Sequence, residues 1–401
     1  MNLFLRTIPV EEAIRIGCSI ANPPGEENIP LAEAVNRVLA RDISADIDIP
    51  GFNRSVVDGY AVRASDTVGA AETIPSLLTR SGTIRMGTTP TISLAEGECA
   101  YIPTGGELPE GTDAVVMIEH TETIDDQVLV KRPVASGENC IRRGEDFTKG
   151  TAAITKGRRL SPPDIGVLAA VGCSIVPVCS IPRIGVISTG NELITVDKRP
   201  SGSEIRDSNS VMLGAYLRAA GCTPHLYGIV KDEREILREI LHLALGENDA
   251  VILSGGSSKD ERDLCADLIA ECGEVLVHGV AIAPGKPTII GRCMGKPVLG
   301  LPGHPASALV VLDRIGRPLL SVMSGEIRRT ECTRSAILTQ NIPSTRGRED
   351  YIRVKLDGKH AIPLFGKSGL LNTLVQSDGI LRIPAGSEGI EKGAEVEVIT
   401  W

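Results

Sequence analysis

Aromatic side chains are scarce in this 401-residue chain: one Trp, five Tyr and four Phe, 2% of the whole. Stacking platforms for single-stranded nucleic acid are correspondingly few. A basic excess is missing too. The 42 Lys and Arg stand against 51 Asp and Glu, giving a formal charge of −9 and a pI near 5.4. That balance argues against a nucleic-acid partner. The longest uncharged run, residues 165–182, carries Gly172 and Pro177, so it predicts a helix, a turn and a strand rather than a membrane span. The opening "MNLFLRTIPVEEAI" brings Arg6, Glu11 and Glu12 too early for a secretory signal. Ten cysteines are present, with no C-x-x-C and no zinc-like spacing, which predicts reduced thiols in the cytoplasm. Familiar nucleotide and metal motifs are lacking as well. "GVAIAPGKPT" has the wrong glycine spacing for a phosphate-binding P-loop, with Pro287 after the lysine, and no G-x-G-x-x-G opens a helix. The six histidines form no close metal pair.

What is present is ample material for cores, 42% hydrophobic residues, built mainly from Val, Ile, Leu and Ala. The length suits two to four domains. Helical spacing occurs in "VEEAIRIGCSI" (10–20) and "LAEAVNRVLARDI" (31–43). Between about Ile49 and Gly150, short β-like runs alternate with Gly, Pro and Thr turns, predicting a β-rich insertion. "SPPDIGVLAAVG" predicts a helix capped by Ser161, with Pro162 in its first turn. From Ile181 to Ser324, strands and helices alternate, which predicts a mainly parallel sheet covered on both faces. Within it, Asp207 or Ser208 should cap the helix after "RIGVIS", and Ile236, Ile240, Leu241 and Ala244 should form one apolar helix face. "KPTIIGRCMGKPVLGLPG" predicts a hairpin, and the residues after Ser324 a small β-barrel or sandwich.

In an open α/β sheet, ligands bind beyond the carboxyl ends of the strands. Here those ends carry "STGNEL" (188–193), "KDE" (231–233), "SGGSSKDERD" (254–263), "IAPGK" (282–286) and "GLPGHPAS" (300–307). Glycines at such turns let backbone amides approach an anion, and hydroxyls add donors. Each turn alone is a weak signal, but five on one rim predict an anionic ligand. Asp260 and Glu261 read as acids that complement a helix dipole. Glu192 and Asp263, after glycine turns on different strands, could converge on a Mg²⁺ ion beside phosphates. His304 between Gly303 and Pro305 is a turn residue that also reaches the rim.

Taken together with "PGFNRSVVDGYAV" (50–62), "IPTGGELPEGTDAVVMIE" (102–119), "GENCIRRGEDFTKG" (137–150), "DSNSVML" and "KSGLLNTLVQSDG" (367–379), these stretches resemble the molybdopterin molybdenumtransferase family, which includes the E-domain of gephyrin-like proteins. The resemblance covers nearly the whole chain. It implies an elongated helical domain (1–48 and 147–180), a β-rich insertion (49–146), a molybdopterin-binding α/β domain (181–324) and a C-terminal β-barrel (325–401). It implies insertion of molybdate or tungstate into adenylylated molybdopterin, with Mg²⁺-assisted release of AMP. It also implies a homodimer whose active site joins the α/β domain of one subunit to the β-rich domain of the other. Molybdopterin adenylyltransferase and recipient molybdoenzymes or tungstoenzymes are possible partners, with no nucleic acid and no membrane.

Carried onto this sequence, the resemblance assigns catalytic roles to Asp58, Thr104, Asp146, Glu192, Asp232, Asp263 and Lys286. It places Thr189, Gly190, Ser254, Gly255, Gly256, Ser257, Pro302, Gly303, Pro305, Ser307 and Ser368 around the cofactor, with Glu192 and Asp263 on the metal. Arg346 and Arg348 are further candidates for the oxyanion. The chain departs from the family pattern at Ser257, Asp260, His304 and Ala283, the last standing where a lysine is common. Two other activities compete with this reading. Molybdopterin adenylyltransferases use a similar α/β domain, but the "VDGYA" and "GED" segments and the tail belong to the insertion family. A non-catalytic scaffold would have lost its acids, and this chain keeps them.

Overall fold

A computed structural model describes residues 7–255, 264–327 and 332–401. Its centre is a six-stranded sheet in the order Thr223–Val230, Arg183–Thr189, Ala250–Ser254, Lys296–Leu301, Ile289–Cys293, Gly273–His278. The first four strands are parallel, and the hairpin strand Ile289–Cys293 runs antiparallel to both neighbours. Met294 and Gly295, both with positive φ, turn the hairpin.

The alternation of side chains explains why both faces are covered. Ile184, Val186, Ala250, Ile252, Leu299 and Leu301 enter one core with Leu213, Leu217 and Leu319. Ile187, Val251, Leu253 and Val298 enter the other with Leu237, Leu241, Leu245 and Leu268. Two-sided burial is what produces near-continuous apolar strands. The helix Arg234–Glu247 buries Leu237, Leu241, Ala244 and Leu245, while Ile236 is 42% exposed. The apolar face is thus turned by one residue from the sequence expectation, because the strand beneath meets the 237/241/245 ridge.

Helix Val10–Ser19 packs its Val10 and Ala13 into the first of these cores, so by packing it joins the α/β domain rather than the segments 20–48 and 147–180. The stretch 31–43 is not an α-helix. It forms a 3-10 turn, Leu31–Glu33, and then extended backbone bridging Val38 to Arg159 and Leu39 to Val178. Asn36, at φ 64°, breaks any helix there, and the apolar periodicity reflects burial of Ala34, Val38 and Leu39 in an irregular chain. Helix Pro162–Ala170 begins as expected: the Asp164 carboxylate accepts from the backbone N–H (2.8 Å) and hydroxyl (2.6 Å) of Ser161.

The insertion holds a second six-stranded sheet, with Gly59–Val62 between Ala114–Met117 and Glu98–Ile102. After the α/β domain, five strands close into a barrel: Glu349–Asp357 pairs with both His360–Pro363 and Gly379–Ile383, and the ring is completed through Thr333–Leu338 and Glu395–Thr400. Closure removes the strand edges that an open sheet would expose. The short strand Ile282–Ala283 of the α/β domain lies parallel to Glu349–Asp350, so the barrel is welded to the domain at Ala283. Among the described residues, no helix is long and apolar enough to cross a membrane.

Candidate functional site

Of the five turns expected on one rim, four follow parallel strands of the central sheet, whereas "IAPGK" lies at the barrel junction, where Ala283 and Pro284 line a separate cavity. Strand Arg183–Thr189 ends in Ser188 and Thr189, and strand Thr223–Val230 leads to Asp232. The Thr189 hydroxyl donates a hydrogen bond to the Asp232 carboxylate, and the Asp232 backbone N–H donates to Asn191 Oδ1 at 3.3 Å. These contacts tie two neighbouring loops together. Glu192 is exposed and folds its carboxylate back over Gly190, to within 3.0 Å of where a Cβ would stand. Gly255, at φ 118°, lies so close to Thr189 that a Cβ would overlap the Thr189 carbonyl oxygen. The third loop can approach the first only because residue 255 has no side chain.

Asn209 joins the remaining loops. It opens helix Asn209–Ala219, whose first turn is capped by the Asp207 carboxylate accepting from Ser210 N–H at 3.1 Å. Its Nδ2 donates to Ser254 Oγ at 3.0 Å and to the Gly303 carbonyl at 2.7 Å. Its Oδ1, buried, has no hydrogen-bond partner among the described residues, and neither has the hydroxyl of Ser188. Buried polar atoms without partners cost stability, so these two orphans point to an occupant. Ser188, Thr189, Glu192, Asn209, Ser254, Gly255, Gly303 and Pro305 line one recess. It offers hydroxyls, an amide and a helix N-terminus, the donors suited to phosphate and other polar ligand atoms. Asp260, Glu261, Gly256, Ser257 and Asp263 lie outside the described residues.

A second cavity, about 360 Å³, opens where the α/β domain meets the barrel. Ala283, Arg348, Asp350, Arg353, Gly366 and Ser368 are on its wall. Arg348 Nε stands 2.9 Å from Asp350 Oδ1, and Ser344 donates to Asp350 Oδ2 at 2.7 Å. Arg346 is elsewhere, paired at 3.3 Å with the exposed Glu388. Two hydrogen bonds from Ser368 join the regions: Ser368 Oγ and His304 Nδ1 are hydrogen-bonded at 2.9 Å, and the Ser368 carbonyl accepts from Ala306 N–H at 3.1 Å. The expected turn residue, His304, thus clasps a barrel segment to the rim. Pro302 is buried beside Gly303, and Ser307 is buried in the helix Pro305–Val311. Lys286 projects outward from the 283–288 turn, its ammonium without a carboxylate partner among the described residues.

The remaining candidates sit on the insertion. Asp58 Oδ1 accepts from both the amide (2.6 Å) and the hydroxyl (2.9 Å) of Thr104. These two bonds, the amide first, hold its carboxyl below the ordinary range, so it is ionised at neutral pH. Asp146 is exposed on the loop whose backbone pairs with Ile49, and no hydrogen bond joins its carboxylate to Asp58 or Thr104. Within one chain, then, the structure unites Asp58 with Thr104, and the rim residues with one another.

The whole length of the chain is accounted for by known relatives. Three family models match in succession: the MoeA N-terminal region (domains I and II) over residues 8–172, a probable molybdopterin-binding domain over 185–322, and the MoeA C-terminal region (domain IV) over 335–401. A putative molybdopterin biosynthesis protein of Methanocaldococcus jannaschii is 37% identical, covering 99% of each chain. The molybdopterin molybdenumtransferase of Bacillus subtilis is 32% identical over 98% of this chain and 94% of its own. The chain belongs to the molybdopterin molybdenumtransferase (MoeA) family. That is a family of transferases in molybdenum-cofactor biosynthesis. Its architecture agrees in three dimensions with a crystal structure of a MoeA protein from Pyrococcus horikoshii. The TM-score is 0.87 at 34% identity, over 99% of this chain and all of that one.

Two groups in these sites had not been singled out from the sequence. Asn209 carries a signal, since it lies in the quoted "DSNSVML", but there it read only as the start of a helix. Arg353 carries none: in "YIRVKLDG" it looks like any polar residue on a strand. In the folded chain it is 5% exposed and donates to the Gly366 carbonyl.

Proposed function

We propose that the protein inserts molybdate or tungstate into adenylylated molybdopterin and releases AMP. The observation that carries this reading is the pairing of two unlike sites through the His304–Ser368 contact. The rim suits the phosphorylated pterin and its adenylate. The junction cavity, with Arg348 and Ser368 on its wall, suits a tetrahedral oxyanion. In the reaction, a P–O bond of the phosphoanhydride breaks as a water oxygen bonds to phosphorus, leaving AMP and the pterin phosphate. Two Mo–S bonds to the dithiolene form as two Mo–O bonds break, the two oxygens leaving as water with the two thiol protons and two protons from solvent.

Among the described residues no three acids converge on one point, so the rim would supply carboxylates singly to Mg²⁺, which prefers hard oxygen donors and keeps ligand phosphates and water in its shell. Glu192 and Asp232 offer such oxygens at neighbouring strand ends, and the Glu192 carboxylate has no hydrogen-bond or ion-pair partner among the described residues. Glu192 would hold the ion together with Asp263. Bound there, Mg²⁺ would neutralise charge developing on the phosphoryl oxygens. Thr189 keeps Asp232 in place, and Asn209, through Ser254 and Gly303, holds the loops that orient the pterin phosphate. Asp58, Thr104 and Asp146 are exposed on the insertion and would act on the rim of a second subunit in a homodimer.

Two measurements test the reading. AMP release from adenylylated molybdopterin should require Mg²⁺ and an oxyanion. Release indifferent to molybdate and tungstate would exclude insertion. Subunits carrying Asp58→Ala and Glu192→Ala should each be inactive alone, and mixed heterodimers should regain about half of the sites. Verified heterodimers without activity would show that the site is not shared.

A further inference from the structure

Asp48 stands where the chain passes into the insertion. Two short ladders flank the crossing: Ile43–Ser44 pairs with Ala152–Ile154, and Arg54–Ser55 with Cys140–Ile141. Between them, segment 48–53 lies against the returning loop 143–149, which carries Asp146, and accepts hydrogen bonds along its length. Arg143 N–H donates to Asn53 Oδ1 at 2.9 Å and Gly144 N–H to the Pro50 carbonyl at 2.9 Å. Asp146 and Phe147 N–H both donate to the Ile49 carbonyl, at 3.0 and 3.1 Å. The Asp48 carboxylate takes the two ends of the loop at once: Oδ1 accepts from Lys149 N–H and Oδ2 from Arg143 Nε, each at 2.8 Å.

This is a clamp rather than a surface ion pair. The Asp48 side chain is 20% exposed. Gly144, at φ 72°, brings the backbone so near that a Cβ there would stand 3.6 Å from the Asp48 carboxyl carbon. The Lys149 N–H, and after it the Arg143 guanidinium, hold the carboxyl below its ordinary range. It is therefore ionised at neutral pH, and both of its bonds are charge-assisted. A loop tied at both ends by one group has given up much of its freedom before any ligand arrives. The Asp146 side chain, by contrast, is exposed, and its carboxylate has no hydrogen-bond or ion-pair partner among the described residues. The backbone of Asp146 is fixed while its acid is left free. The fold gains nothing from that free acid, whereas a carboxylate that must meet a ligand gains from being held in place in advance.

We propose that Asp48 is a positioning residue for the reaction: by holding Arg143 and Lys149 together it sets the place of Asp146, the insertion acid that meets substrate on a second subunit. The assignment rests on the transferase reading above. Asp48 itself touches no substrate and acts only through loop 143–149.

The test is a double-mutant cycle in the full-length enzyme, reading AMP release from adenylylated molybdopterin with Mg²⁺ and molybdate. Asp48→Ala should lower kcat about tenfold while KM stays within about twofold, the pattern of a group that serves the chemical step rather than binding. In the Asp146→Ala background the same change should cost nothing further, because the loop then has no acid to place. Circular dichroism melting establishes that each variant is folded. Amide hydrogen exchange at Lys149 should quicken in Asp48→Ala, a readout independent of activity. A loss by the same factor in both backgrounds overturns the assignment, since a merely structural role is additive. So does Asp48→Ala with kcat within about twofold of wild type, or with unchanged exchange at Lys149; either leaves the transferase reading standing. Should Asp48→Ala not fold, Asp48→Asn, which keeps one acceptor oxygen, takes its place in the cycle. It should cost about threefold in the wild-type background and nothing in Asp146→Ala, and equal losses again overturn the assignment. Full activity in Asp146→Ala, or no AMP release by wild type, would overturn the transferase reading itself and the positioning role with it.

Discussion

At the carboxyl ends of the central strands, the groups facing the recess are hydroxyls, one amide and exposed acids. At the barrel junction, two guanidiniums and one acid share a cavity wall. On the proposed function both regions receive negative charge, yet they prepare for it differently. The rim is neutral or acidic and depends on backbone dipoles, hydroxyls and an added cation. The ligand proposed for it is an extended molecule with several polar atoms to place, and many weak, directed donors give orientation. The junction keeps a permanent charge out of water, which gives a strong field but little direction. That suits a small, nearly isotropic ion. The rim is therefore sensitive to loop geometry, and the junction to charge balance.

The comparison can be broken most forcefully at Gly255. A Cβ there overlaps the Thr189 carbonyl, and φ 118° strains any other residue. Gly255→Val should cost about 3 kcal/mol and lower the apparent melting temperature, while oxyanion binding by the folded fraction persists. Loss of both functions in proportion would mean that the two regions are one cooperative unit.

A smaller effect is expected at Glu349, which anchors the junction. Burial opposes its ionisation, but Arg382 and Tyr351 outweigh that and hold the carboxyl below its ordinary 4.5. The group binds its proton less readily when folded, so its contribution is present above the unfolded value and is lost as pH falls through the folded one. Glu349→Gln should therefore destabilise by about 2 kcal/mol at neutral pH, a value reduced because Arg382 is half exposed. Below pH 4.5 the difference should shrink. Urea melts at pH 7 and pH 3.5 would show it, and a pH-independent difference would contradict the ion-pair account.

The smallest change sharpens the rim. Asn209→Ala removes two buried donors to Ser254 and Gly303 and should cost about 1–2 kcal/mol. On the proposed function these bonds hold the loops that receive the pterin, so KM for adenylylated molybdopterin should rise while molybdate affinity stays put. A fall in molybdate affinity instead would place Asn209 in the wrong region.

Much of the rim was legible because its information is local. A strand of Val and Ile ending in Ser-Thr-Gly, followed by a helix start, declares both the element and the end at which a ligand binds. Period-2 and period-3.6 patterns are written within a few residues, and they located the sheet, the hairpin and most helices. Where an apolar pattern served irregular chain, as at 31–43, periodicity misled, since burial alone does not specify a helix. The Ile236 face failed for a related reason: its turn of the helix is fixed by the strand below it.

The sequence by itself determined the class of the fold and the family, because each depends on residues close together in the chain or on motifs in a fixed order. Only the tertiary structure decided that Val10–Ser19 packs into the α/β core, that Asn209 ties Ser254 to Gly303, that Arg348 and not Arg346 faces the cavity, and that Arg353 is buried. Each of these is a contact between elements distant in sequence, and a charged side chain on a strand carries no local mark of the domain that will close over it.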